Sequence, residues 1–125
     1  MEGFRTIREA DTEQWREGEE EVRQYVTTER INFATSLLPP GGKSSVDQGH
    51  AEAEEICYVV SGTLRVRFPA QRTQAELKAG DMVLIMPDQP HQLENRGRER
   101  VDMVWCAAPG KQFFELVEKL RKARA

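Results

Sequence analysis

Cysteine and histidine are scarce in this chain of 125 residues, each occurring only twice. Cys57 and Cys106 lack both the paired spacing of a metal finger and the density of a disulfide scaffold, so a reducing cytoplasm is the expected compartment. The N-terminus, MEGFRTIREADTEQW, has no apolar run, and the sequence predicts neither a signal peptide nor a membrane span. Positive charge is not in excess either. The net charge of -3 offers no general attraction to nucleic acid or to anionic membranes. Basic residues gather only at Arg96, Arg98 and Arg100, read as a solvated loop, and at Lys119, Arg121, Lys122 and Arg124, read as a helix end. Internal repeats, low-complexity tracts and interdomain linkers are missing, which leaves one domain over residues 1–125 with one core.

What the chain does contain is a series of short apolar runs broken by Gly, Pro or Asp, the pattern of an antiparallel sandwich or barrel. Strands are expected at Val22–Thr27, Ile31–Leu38, Ile56–Val60, Thr63–Phe68, Thr73–Leu77, Met82–Ile85, His91–Glu94 and Val101–Ala107. The turns between them fall at Pro39-Pro40-Gly41-Gly42, Ser61-Gly62, Ala79-Gly80-Asp81, Pro87-Asp88-Gln89-Pro90 and Asn95-Arg96-Gly97. Asp11 is placed to cap a short helix through Trp15. After Pro109-Gly110, residues Phe113, Leu116, Val117 and Leu120 recur at helical spacing. The fold class is therefore all-β, with a barrel core over about 22–107 and a C-terminal helix over about 111–124 lying on its outside.

A hairpin turning at Ser61-Gly62 would set Val60 against Thr63, Val59 against Leu64 and Cys57 against Val66. Alternation then puts Glu55, Cys57, Val59, Leu64, Val66 and Phe68 on one face and Ile56, Tyr58, Val60, Thr63, Arg65 and Arg67 on the other. The two arginines mark the second face as wet, so the first faces the interior. Glu55 is the one charge on that inner face. A buried carboxylate costs several kcal/mol unless it is protonated, paired or bound to a metal.

Within GGKSSVDQGHAEAEEICYVVSG the order is Gly42, five residues, Gln48, Gly49, His50, four residues, Glu55, six residues, Gly62. Within GDMVLIMPDQPHQLEN it is Gly80, ten residues, His91, three residues, Asn95. These stretches resemble the paired motifs of the cupin superfamily over residues 39–95. The resemblance implies a jelly-roll barrel whose interior binds one divalent ion, such as Zn, Mn, Ni or Fe, through Gln48, His50, Glu55 and His91. Both histidines of the chain fall on motif positions. Gln48 stands where the superfamily usually has histidine, and its amide either ligates the ion weakly or orients a bound water. Asp88 stands where a tight-turn glycine is common, and Asp tolerates the left-handed backbone such a turn needs.

Two further residues are candidates for a substrate pocket. Cys57 lies two residues from Glu55 on the same face, about 7 Å along the strand, either lining the pocket or packed in the core. Arg23 either reaches inward to pair with an anionic substrate or lies on the surface. Met103, Trp105 and Phe33 are read as pocket wall or core. The small-molecule substrate implied is a hydroxy or oxo acid or a sugar, handled by Lewis-acid chemistry with Glu55 as the candidate catalytic base. The Gln-x-His pairing resembles phosphomannose isomerases, and the small barrel resembles the sugar-acid cupins of pectin breakdown. Two alternatives stand beside this reading. One is a non-haem Fe(II) dioxygenase like the 3-hydroxyanthranilate type, the other a non-catalytic small-molecule binder. No helix-turn-helix follows the barrel. Ile56, Tyr58 and Val60 form an outward apolar group, to be covered by the terminal helix, by an N-terminal strand or, as the resemblance suggests, by the second subunit of a homodimer.

Overall fold

The computed structural model describes residues 3–124, so the ends of the expected 1–125 domain, Met1, Glu2 and Ala125, lie outside it. Nine strands follow in chain order: β1 (Glu13–Glu17), β2 (Glu20–Thr27), β3 (Asn32–Leu38), β4 (Glu54–Ser61), β5 (Thr63–Phe68), β6 (Thr73–Lys78), β7 (Met82–Ile85), β8 (Gln92–Glu94) and β9 (Val101–Ala108). A single 3-10 turn at Gly110–Phe113 leads into α1 (Phe114–Arg124). The strands form two antiparallel sheets, a six-stranded one in the order β1-β2-β3-β9-β4-β7 and a three-stranded one in the order β6-β5-β8. The fold is the expected all-β jelly roll with a C-terminal helix. Among the described residues, no helix is long and apolar enough to cross a membrane.

Strict alternation builds the interior. Along β3, Asn32, Ala34, Ser36 and Leu38 are buried while the residues between them are partly exposed. Along β4 the buried residues are Glu55, Cys57 and Val59. The apolar core joins Leu38, Cys57, Val59, Leu64, Val66, Leu77, Leu93, Val101 and Met103 from both sheets. Burying a large aliphatic side chain is worth about 1.5–3 kcal/mol, so these residues supply much of the barrel's cohesion.

Two local expectations are corrected. The segment after Asp11 is not a helix: a 3-10 turn at Glu9–Asp11 gives way to strand β1, which carries Trp15. Trp15 pairs with Val22, and the ladder to β2 supplies backbone partners that a short isolated helix could not match. The second correction concerns Ser61-Gly62. The faces are as expected, but β4 and β5 are not hydrogen-bonded to each other: β4 pairs with β7 and β9, and β5 with β6 and β8. At the end of β4, the Val59 N–H donates to Asp81 O and its carbonyl accepts from Gly80 N, at 3.0 and 2.8 Å. With those groups occupied, Gly62, at φ +85°, carries the chain across to the opposite sheet.

Candidate metal centre

One end of the barrel interior is polar. Four titratable side chains meet there from three parts of the chain. Glu55 comes from the start of β4, Asp47 and His50 from the loop before it, and His91 from the residue preceding β8. His91 Nε2 lies 3.8 Å from Asp47 Oδ2 and 3.8 Å from Glu55 Oε2, and His50 Nε2 lies 3.7 Å from Asp47 Oδ2. Asp47, His50 and Glu55 each offer a ligand atom within 4.8 Å of the others.

Backbone contacts fix the cluster. Asp47 and His91 form an isolated antiparallel bridge, each N–H donating to the other's carbonyl at 2.8 Å. Residues directly opposite in such a bridge project to the same side. The Gly49 N–H donates to Asp47 Oδ1 at 2.7 Å, holding the carboxylate. Gly49 itself has φ +86°, and a Cβ there would sit 2.5 Å from the Gln89 nitrogen. The loop carrying His50 thus packs directly on the loop that precedes His91. Asp88 on that second loop has φ 58°, the left-handed conformation expected of it. His91 Nδ1 lies 2.8 Å from Gln89 O, a carbonyl that can only accept, so Nδ1 donates and Nε2 is the ring nitrogen turned toward the carboxylates.

Gln48 does not join this group. It is exposed, and Asp47 occupies the position that the motif comparison gave to Gln48. The reason is sidedness: the bridge to His91 turns Asp47 inward, and the next side chain along extended backbone points the other way. Arg23 also faces away, its guanidinium donating to Glu9 O at 3.1 Å and to Thr12 Oγ1 at 2.8 Å. Cys57 is fully buried in the apolar core, where burial pushes its thiol well above the ordinary value. Met103 is core, and Trp105 lines the cavity, its Nε1 donating to Ser36 Oγ at 2.9 Å.

Sequence reasoning missed three acids. Asp47 is one, and Glu17 and Glu20 also line the cavity. Glu20 is 4% exposed, and burial raises its carboxyl to about 8. Burial, and next the Asp47 charge, raises Glu17 as well. Burial likewise raises Glu55, against the pull of His91. For Asp47, burial is outweighed by His50, His91 and the Gly49 N–H, which hold it below its usual value. For His50, burial is outweighed by Asp47 and Glu55, which raise it. A period-two count from Val22 would have turned Glu20 inward, but the strand that carries Glu17 was itself unrecognised.

One atom tests the set as a metal site. His50 Nε2 is buried and has no hydrogen-bond partner. Its nearest carboxylate, at 3.7 Å, is beyond hydrogen-bond reach. Atoms that share an ion at about 2.0–2.2 Å stand apart by rather more than a hydrogen bond, and buried polar atoms are seldom left unpaired. Asp47, His50 and Glu55 offer ligand atoms close enough together for a divalent ion, and His91 Nε2 lies beside two of them.

Comparison with known proteins agrees with this architecture. The model of the cupin domain matches residues 34–106, more than half of the chain. The chain belongs to the cupin family. An uncharacterised protein of Methanocaldococcus jannaschii is 31% identical over 78 residues, which cover 62% of this cupin and 60% of that relative. The chain thus spans about three fifths of the length of this relative. Among solved structures, a predicted oxalate decarboxylase from Thermotoga maritima superposes with a TM-score of 0.69 at 21% identity, covering 83% of this cupin and 98% of that chain. The polyketide cyclase RemF from Streptomyces resistomycificus superposes with a TM-score of 0.68 at 18% identity, covering 85% and 80%. At such identities the likeness is one of fold.

Proposed function

We propose that this cupin binds one divalent metal ion through Asp47, His50, Glu55 and His91 and acts on a small hydroxy or oxo acid by Lewis-acid chemistry. The observation that carries the reading is the buried, unpartnered His50 Nε2, which faces a carboxylate and lies in one cluster with a second imidazole and a second carboxylate. A bound ion would supply charge stabilisation to a carbonyl or to a developing enediolate. The protein's part is positional and protonic. Gln89 O and the Gly49 N–H orient His91 and Asp47. Glu55 is assigned the base: released from the ion as the substrate chelates it, its carboxylate would stay within the cluster, placed to accept a proton from substrate carbon.

Replacing the expected Gln48 amide by the Asp47 carboxylate changes the charge. Two carboxylates formally neutralise a divalent ion, where one would leave it at +1. That set suits a hard or borderline ion with oxygen affinity. The test has two parts: metal content of the purified protein, expected near one ion per chain, and turnover of candidate 2-hydroxy and 2-oxo acids under strict anaerobiosis. Activity seen only with Fe(II), with O2 consumed in step with substrate, would replace this reading with a dioxygenase. Tight ligand binding without turnover would replace it with a binding protein.

Two further assignments complete the proposal. Ile56, Tyr58, Val60, Met82, Leu84 and Met86 are all exposed, and Ile56 pairs with Leu84 and Tyr58 with Met82 on one continuous outer face. A homodimer packed through that face would bury them. The two cysteines are unpaired, which supports a reducing, cytoplasmic setting.

A further inference from the structure

The cavity around the candidate metal centre has walls of two kinds. Glu17 and Glu20 add two acids to Asp47 and Glu55. Trp15, Val22, Trp105, Phe113, Leu116 and Leu120 form its apolar wall, and of the polar residues beside them Gln24 is bonded to Asn32 and Ser44 to the backbone. Among the described residues, no lysine or arginine lines it. Arg23 is turned to the other face of its strand, and Arg121, one residue past Leu120, is held by both carboxylate oxygens of Glu13 at 2.7–3.0 Å.

The apolar wall also starts at the cluster itself. The His50 ring packs at a tilt against Phe113 with centroids 4.2 Å apart, and the His91 ring lies 6.2 Å from that of Trp105. A ligand whose chelating end reached the imidazoles would place its next carbons against aromatic and aliphatic side chains, with α1 as one wall.

From this we infer that the cavity selects a 2-oxo or 2-hydroxy acid with an aliphatic or aromatic body and rejects those with a second anionic group or a polyhydroxylated body. The inference rests on the metal reading above. A second carboxylate, held away from the ion by the chelating end, would enter a partly dry cavity beside Glu17 and Glu20 with no lysine or arginine to pair it. Sugar hydroxyls would leave water for a wall in which Trp, Phe and Leu offer no partners and Gln24, Asn32 and Ser44 are already bonded within the protein. An apolar body gains about fourfold in affinity for each methylene it buries.

The experiment uses the full chain loaded with Co(II), whose visible absorption reports loading and chelation separately. Three 2-oxo acids are titrated: pyruvate, 4-methyl-2-oxopentanoate and 2-oxoglutarate, with gluconate as a polyhydroxy acid. The branched apolar acid should bind at least tenfold more tightly than each of the others. Glu17→Gln should then raise the affinity for 2-oxoglutarate at least threefold. Full Co(II) loading with 2-oxoglutarate or gluconate bound as tightly as the apolar acid, or with no acid bound, overturns this inference and leaves the metal centre standing. Failure to load Co(II) removes the metal reading and the inference with it. A Glu17→Gln protein that binds 2-oxoglutarate no better overturns the role given to the acidic wall.

Discussion

Glu55 and Cys57 sit two residues apart on the same inward face of β4, yet they lie in different surroundings. The register explains the contrast. Cys57 pairs across the sheet with Trp105 and Val83, which fill the space around it, and the thiol is fully buried. Glu55 pairs with Ala107 and Ile85, and its carboxylate lines the cavity, where polar groups from the loops meet it. The barrel interior is thus divided along its axis, with packed apolar side chains at one end and acids and imidazoles at the other.

The sharpest way to break the comparison is to truncate both residues. Glu55→Ala should reduce metal content from near one ion per chain to below about a tenth, since a ligand is lost. Cys57→Ala should keep the metal and lose about 1–2 kcal/mol of stability, the cost of a small cavity in packed core. Elemental analysis and urea unfolding measure the two effects. Equal metal loss in both variants would erase the partition.

The loop before β4 offers a second pair. Asp47→Asn should weaken metal binding at least about a hundredfold, whereas Gln48→Ala should change it by less than about twofold. Competition with a chelator gives both numbers. The opposite ranking would restore the motif position over the observed side.

Next in size is a pH effect at the open end. Burial, and after it the Glu17 and Asp47 charges, raises the Glu20 carboxyl from 4.5 to about 8 in the folded protein. The folded state therefore holds a proton that the unfolded chain has released. The stabilisation is complete below about pH 4.5 and lost as pH rises through about 8. Metal-free protein should lose roughly 1–3 kcal/mol between pH 5 and pH 8 from this group, and Glu20→Gln should flatten that slope. Chemical denaturation at several pH values measures it, and an identical slope in the variant would remove Glu20 from the account.

The smallest effect concerns the outer face of the same strand. Leu84→Lys, at an exposed position opposite Ile56, should shift the proposed dimer toward monomer while changing intrinsic stability by about 0.5 kcal/mol or less. Light scattering at micromolar concentration checks this, and a wild-type monomer there would remove the dimer.

Much of this molecule follows from local rules. Alternation and turn residues alone locate eight of the strands to within a residue or two, the terminal helix and the inward side of Glu55. The motif spacing singles out His50, Glu55 and His91, which the fold does bring together. Asp88 takes the left-handed backbone its residue type allows. These features depend on period and on single-residue conformation, which a sequence carries explicitly. What the tertiary structure decided is pairing and side. Asp47 rather than Gln48 faces His91 because a bridge between two loops sets which side chain turns in. β4 and β5 part company because Val59 is bonded to the turn at Gly80 and Asp81. Trp15, Glu17 and Glu20 reach the cavity only because β1 extends along β2. The first two depend on hydrogen bonds between segments distant in the chain and the third on a hairpin ladder between neighbouring strands, and single-residue propensity has access to neither.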